Sequence, residues 1–198
     1  MKKIFYIMGR SGSGKDTIYK EILKNEEIKK INLKEIVLHT TRPMRNGEEC
    51  GKEYYFVSDK LFEKMKNLEK FIEIREYDTV NGIWKYGTCA DSITDGNFIG
   101  IGTLISYSKL KEKYGDCVYP IYISVDEDIL YKRTVDRAKG DNNQNIEEVK
   151  RRFEADRKDF SNEKIKELNI NKIFDNNNNL NDCVNNIVNY IFDKIENN

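Results

Sequence analysis

Short apolar runs alternate along this chain with longer stretches in which apolar residues recur every three or four positions. Ile4-Phe5-Tyr6-Ile7-Met8 is an uninterrupted run closed by Gly9, the pattern of a parallel strand buried on both faces. The glycine-bearing stretch after it leads into a helix with Ile18, Ile22 and Leu23 on its inner face. Residues 35–38 predict a second strand. Phe56-Val57-Ser58 closes another, with Ser58 placed to cap a helix that turns Leu61, Phe62 and Met65 inward. Residues 71–74 and 84–86 predict strands flanking a polar loop over 77–82, and residues 98–101 a further strand ahead of a helix near 106–114. The clearest later strand is 119–125, after which Asp126 caps a helix carrying Ile129 and Leu130. A basic helix is predicted over 146–160 and a short last strand at 173–174. The asparagines at 176–179 make a turn, beyond which Leu180, Val184, Ile187, Val188, Ile191 and Ile195 recur at helical spacing.

Strands alternating with helices imply an α/β fold with a largely parallel sheet. At 198 residues, 38% of them hydrophobic, the chain suits one compact domain with room for a small insert. Lysine plus arginine balances aspartate plus glutamate at 34 each. That balance carries no nucleic-acid or membrane footprint, so any positive region must be local. Cys50, Cys89, Cys117 and Cys183 lack metal-ligand spacing, and a single histidine is present; free thiols in a reducing compartment follow. The apolar run near the N-terminus is too short for a signal segment, and no stretch approaches a membrane span. The expectation is a soluble, cytoplasmic protein.

Gly9-Arg10-Ser11-Gly12-Ser13-Gly14-Lys15 fits G-x-x-x-x-G-K between a predicted strand and a predicted helix. Glycines let successive backbone N–H groups turn inward around an anion, and the helix N-terminus adds positive dipole. Lys15 would neutralise charge on the outer phosphates of a nucleoside triphosphate. The next position, where a hydroxyl for magnesium is usual, carries Asp16. A carboxylate can ligate magnesium itself, Thr17 can supply the hydroxyl, or Asp16 can simply complement the helix start.

A second charged cluster follows: Thr40-Thr41-Arg42-Pro43-Met44-Arg45-Asn46-Gly47-Glu48, then Gly51-Lys52-Glu53-Tyr54-Tyr55-Phe56. Two arginines beside tyrosines suit a phosphomonoester, which an arginine fork grips bidentately. An exposed charged loop is the alternative.

With these residues in place the sequence resembles the guanylate kinases. The matching blocks are residues 9–15, T-T-R-P-x-R-x-G-E at 40–48, G-x-x-Y-x-F at 51–56, F-I-E at 71–73 and Y-G-T at 86–88. Their order and spacing agree, apart from a longer stretch between Glu73 and Tyr86. The resemblance implies a P-loop NTPase-type parallel sheet flanked by helices, with a small GMP-binding insert and a helical lid. It implies a core of residues 1–36, 89–132 and 156–198, a nucleoside monophosphate-binding region at 37–88 and a lid at 133–155. ATP would lie on Gly9, Arg10, Ser11, Gly12, Ser13, Gly14, Lys15, Asp16 and Thr17, with Mg2+ at Asp16 or Thr17. Arg42, Arg45, Tyr54 and Tyr86 would hold the GMP phosphate, Glu73 would read guanine and Thr88 would add a second contact. Guanine presents adjacent N1–H and N2–H₂ donors that one carboxylate accepts as a pair, whereas adenine opposes it with an acceptor at N1. Arg133, Arg137 and Arg152 resemble lid arginines that stabilise the transferring phosphoryl group, so the catalytic set would be Lys15, Arg42, Arg133, Arg137 and Arg152. The implied reaction is ATP-dependent phosphorylation of GMP, and of dGMP, by a monomer or homodimer. A ribose bisphosphate kinase or a non-catalytic binding module are the other readings.

Three features depart from the family pattern. The acidic D-x-D pair at the end of a central strand is replaced by Gly100-Ile101-Gly102, and the serine four residues before Arg42 by Leu38. Residues 78–82 lengthen a loop near the acceptor pocket. His39 reads as a core or strand histidine.

Overall fold

The computed structural model describes residues 2–79, 82–140 and 146–196, without the side chains of residues 138–140, 146–149 and 152. In chain order come β1 (Lys3–Met8), α1 (Lys15–Lys24), α2 (Glu26–Lys30), β2 (Lys34–Glu35), β3 (His39–Thr40), β4 (Tyr55–Phe56), α3 (Asp59–Asn67), β5 (Phe71–Thr79) and β6 (Gly82–Cys89). They are followed by β7 (Asn97–Gly102), α4 (Leu104–Tyr114), β8 (Val118–Ser124), α5 (Glu127–Gly140), α6 (Ile146–Asp159), α7 (Asn162–Glu167), β9 (Ile173–Asp175) and α8 (Leu180–Glu196).

The main sheet has the order β2-β7-β1-β8-β9, and every pairing in it is parallel. β1 sits at its centre, which explains its unbroken apolar sequence. Side chains alternate across a strand, so Ile4, Tyr6 and Met8 enter one core while Phe5 and Ile7 enter the other. The first core is completed by Leu104, Tyr107 and Leu110 of α4 with Phe160 and Ile165; the second by Ile18 and Ile22 of α1 with Val184, Ile187 and Ile191 of α8. Burial of this kind is worth about 1.5–3 kcal/mol for each large aliphatic side chain.

A second, four-stranded sheet has the order β4-β3-β6-β5 and is built from residues 39–89. Its α3 is capped as predicted, the Ser58 hydroxyl accepting from Leu61 N–H at 3.2 Å. Phe62 is fully buried and stacks on Phe71 at 4.6 Å. Leu61, however, is 44% exposed: α3 lies on its sheet with one turn-face only, and Leu61 is off that stripe. Lys85 of β6 ties the same helix down through Asp59 (2.9 Å) and Glu63 (2.7 Å). His39 stacks on Tyr55 at 4.8 Å, and burial lowers the pKa of its imidazole.

Other boundaries also shift. The second strand falls at Lys34–Glu35 rather than 35–38, with Ile36 N–H still donating to Ile99 C=O. The expected loop over 77–82 is mostly ladder, with Tyr77 opposite Trp84, Asp78 opposite Ile83 and Thr79 opposite Gly82; Val80 and Asn81 lie outside the described residues. Tyr77, Asp78, Gly82 and Ile83 are all exposed, so this end of the hairpin has no buried face to write an apolar pattern and its sequence reads as loop. The short helices α2 and α7 gave no periodic signal. The divisions at 132/133 and 155/156 fall inside α5 and α6.

Candidate active site

The phosphate loop leaves the C-terminal end of β1 and enters α1 at Lys15. Gly12 and Gly14 have φ of +83° and +82°, a region that L side chains rarely adopt. Neither has space for a side chain: a Cβ on Gly12 would lie 2.6 Å from Thr134 Oγ1, and one on Gly14 2.6 Å from Asn176 Nδ2. Asn176 is only 3% exposed and donates from Nδ2 to the Ser13 carbonyl at 2.8 Å. The loop is thus clamped between α5 and the turn before α8. Lys15 Nζ stands 3.4 Å from Asp16 Oδ2, whose side chain is 72% exposed at the mouth of the loop. Thr17 is exposed beside it. Ser11 N–H donates to Asp156 Oδ2 of α6 at 2.6 Å, so a carboxylate already sits on a loop amide. Arg10 stacks over Phe153 at 4.6 Å, with Nη2 3.8 Å from Glu127.

The two threonines ahead of Arg42 anchor its loop to β6. Thr40 Oγ1 donates to the Lys85 carbonyl (2.9 Å) and accepts from Arg42 N–H (3.1 Å), while Thr41 Oγ1 accepts from Lys85 N–H (3.0 Å). Arg42 is 4% exposed, over the rings of Tyr54 and Phe56, so this is no solvated loop arginine. Its Nη2 donates to Glu48 Oε1 (2.7 Å) and its Nη1 to the Pro43 carbonyl (2.8 Å). Glu48 Oε2 accepts from Arg45 N–H at 2.7 Å, closing the loop, and the Arg42 bond holds this carboxyl below the usual carboxylate range. The Arg45 side chain is exposed. Tyr54 meets Tyr86 edge-on at 5.7 Å, and burial raises its phenol pKa, keeping it a protonated donor.

Glu73 is 6% exposed, which rules out a surface carboxylate. It pairs across the ladder with Thr88, whose hydroxyl donates to Glu73 Oε1 at 2.7 Å. Tyr86 follows on the same face opposite Arg75, and Arg75 in turn forks onto Glu73. Arg42, Tyr54, Glu73, Tyr86 and Thr88 therefore converge on one face of the small sheet. That face looks toward the phosphate loop: Tyr54 feels the charge of Asp16, and Tyr6 of β1 that of Arg75 and Glu73.

A model for the family described as guanylate kinase matches residues 1–194. The chain belongs to the guanylate kinase family. Among similar proteins, the guanylate kinase of Buchnera aphidicola subsp. Acyrthosiphon pisum is 34% identical over 139 residues, 68% of this chain and 64% of that protein. The guanylate kinase of Neisseria meningitidis serogroup A is 41% identical over 90 residues, 46% of this chain and 40% of its own length. The match thus spans 64% of the first of these curated relatives and 40% of the second, in each case less than two thirds. The crystal structure of guanylate kinase from Anaplasma phagocytophilum superposes with a TM-score of 0.63 at 20% identity, covering 98% of this chain and 86% of that one, and shows the shared fold.

For this guanylate kinase family member the lid positions are the least gathered. Arg133 Nη2 donates to the Asn177 carbonyl at 3.4 Å, near the phosphate loop, while Arg137 is exposed one turn on. The Arg152 side chain lies outside the described residues. Sequence reasoning missed Asn176, Asp156 and Arg75. Of these only Arg75 left a signal, since it shares a strand face with Glu73 at a spacing of two. At the missing acidic pair, a Cβ on Gly102 would collide with Tyr6 Oη, and one on Gly100 would lie 2.8 Å from the Tyr6 ring. Tyr6 occupies the room those carboxylates would need. Among the described residues no helix is long and apolar enough to cross a membrane, and no cluster of three or more His, Cys, Asp or Glu could hold a metal.

Proposed function

We propose that this chain transfers the γ-phosphoryl group of ATP to GMP, and to dGMP, by direct in-line attack in the cytoplasm. The observation that carries the reading is Glu73: a buried carboxylate on the sheet face that also carries the Arg42 fork, opposite a phosphate loop. Residues 37–88 form the acceptor region and 133–155 the lid, around a core of 1–36, 89–132 and 156–198. The loop from Gly9 to Lys15 cradles the ATP phosphates on backbone N–H groups and the α1 dipole. Arg42, Arg45, Tyr54 and Tyr86 hold the acceptor phosphate, Glu73 and Thr88 hold guanine, and Arg133, Arg137 and Arg152 close over the transferring group. Holding both phosphates in line supplies most of the catalysis, because phosphoryl transfer asks little covalent chemistry of the protein.

Asp16 suits magnesium, being a hard oxygen ligand exposed at the loop mouth beside Lys15. Thr17 adjoins it. With no fuller ligand cluster among the described residues, the ion would be held chiefly by the phosphates, whose charge it neutralises. Asp16→Ala is expected to raise the free magnesium needed for half-maximal activity by about tenfold. An unchanged magnesium titration would assign Asp16 to the helix start alone.

The deciding experiment is ADP formation with ATP and magnesium against GMP, dGMP, AMP, CMP, UMP and ribose 1,5-bisphosphate. Turnover on GMP and dGMP alone, on the order of 1–100 per second, supports the reading. Turnover only on the sugar phosphate would replace it, and silence on every acceptor together with no ATP binding would reduce the chain to a binding module.

A further inference from the structure

The reader carboxylate is already occupied. Arg75 Nε donates to Glu73 Oε2 at 3.0 Å and Arg75 Nη2 to Glu73 Oε1 at 3.4 Å, a side-on fork across both oxygens. Thr88 Oγ1 adds a third donor on Oε1 at 2.7 Å. A carboxylate offers about two acceptor sites per oxygen, so Oε1 is full and one site remains on Oε2. Guanine needs one site on each oxygen for its N1–H and N2–H. The guanine edge and the arginine side chain also present the same chemical unit, two N–H groups on one carbon, so they compete for the same edge of the same acid.

Resting on the acceptor reading above, we propose that Arg75 is a built-in occupant of the guanine site that GMP must displace, and so sets acceptor affinity. Glu73 is buried at 2% side-chain exposure and Arg75 mostly covered at 14%, so the pair is largely shielded from the solvent that weakens surface ion pairs. Tyr6 Oη is fully buried and makes no hydrogen bond of normal geometry among the described residues, although the Ser106 hydroxyl is close enough to interact. Tyr6 and Tyr77 both interact electrostatically with Arg75, and either phenol oxygen accepts an N–H. Tyr6 can stand there because Gly100 and Gly102 leave its ring the space. The glycines, the tyrosine and Arg75 thus form one arrangement, with the glycines in the positions where the family pattern puts acids.

Because the displacement is required of any base that needs both Glu73 oxygens, it lowers affinity without sharpening the choice among such bases. Calorimetric titration of GMP, with no ATP present, into wild type, Arg75→Met, Arg75→Lys and Glu73→Gln tests this. Arg75→Met is expected to bind GMP about tenfold more tightly than wild type. Arg75→Lys should fall between them, since an ammonium is not a fork, and Kd for ATP should not change. GMP binding by Arg75→Met that is equal to or weaker than wild type, with Glu73→Gln weakened, would overturn the competition and leave the acceptor reading intact. Failure of wild type and all three variants to bind GMP would remove both. Should Arg75→Met not fold, the Arg75 Nε–H resonance of the wild type decides. It must shift when GMP saturates the protein, and an unmoved resonance in the GMP complex overturns the proposal.

Discussion

Arg42→Met is expected to lower kcat/KM for GMP by about 10²–10³-fold, with most of the loss in KM for GMP. Two losses combine. The substitution removes the buried guanidinium proposed above to hold the acceptor phosphate, and it leaves Glu48 without the partner that Nη2 supplies at 2.7 Å. The Arg45 N–H still holds that carboxylate at 2.7 Å, so an unpaired negative charge would remain in the proposed acceptor site. Each effect is worth roughly 2 kcal/mol in a desolvated site. Arg42→Lys should recover little, because a point charge cannot span two oxygens. Adding Glu48→Gln to Arg42→Met should recover part of the loss by removing the repulsion. Steady-state rates with GMP varied at saturating ATP check this. A KM within threefold of wild type would make Arg42 an anchor of its own loop and nothing more.

The second large effect falls on stability. Gly102→Asp, which restores one carboxylate of the family pattern, is expected to destabilise the fold by about 3 kcal/mol, or roughly 6–12 °C in Tm. The new Cβ meets Tyr6 Oη, and Tyr6 cannot withdraw because it is fully buried between β1 and α4. Tyr6→Val opens a cavity and is itself destabilising, but in the double variant with Gly102→Asp the two losses should fall well short of their sum, since valine vacates the space the aspartate needs. Thermal unfolding of both single variants and the double beside wild type tests the coupling. A Gly102→Asp variant as stable as wild type would show that the aspartate finds another path.

What the sequence discloses is set by how each residue is constrained. β1 is legible because both faces are buried, and Gly12 and Gly14 because their backbone shape admits little else. Arg42 and Glu73 are legible as types in a pattern, but the ion pairs that hold them are not. Glu48 meets Arg42 across six residues and Arg75 meets Glu73 across two, contacts that depend on loop and strand geometry. Only the outer part of the β5–β6 hairpin is hidden, because Tyr77, Asp78, Gly82 and Ile83 are all exposed and leave no buried face to write a pattern. Leu61 fails for the opposite reason, an apolar residue that nothing covers. Tyr6 reads as one more apolar letter in β1, and only the glycines of β7 opposite it show that its ring displaces a pair of acids.

Asn176 has a consequence for the order in which this protein can be made. Its side chain holds the Ser13 carbonyl across 163 positions of sequence, and α8 packs on α1 behind the same loop. A nascent chain will have carried its complete phosphate-loop sequence out of the ribosome long before Asn176 emerges to fix the shape. Until then the loop lacks one of its two clamps, and the shape proposed to hold a triphosphate waits on β9 and α8. Long-range closure of this kind is slow to form, because the entropy of a long loop is lost before the contact repays it. ATP present during synthesis should therefore stabilise the nascent chain only once Asn176 and α8 have emerged, and not while the loop alone is exposed.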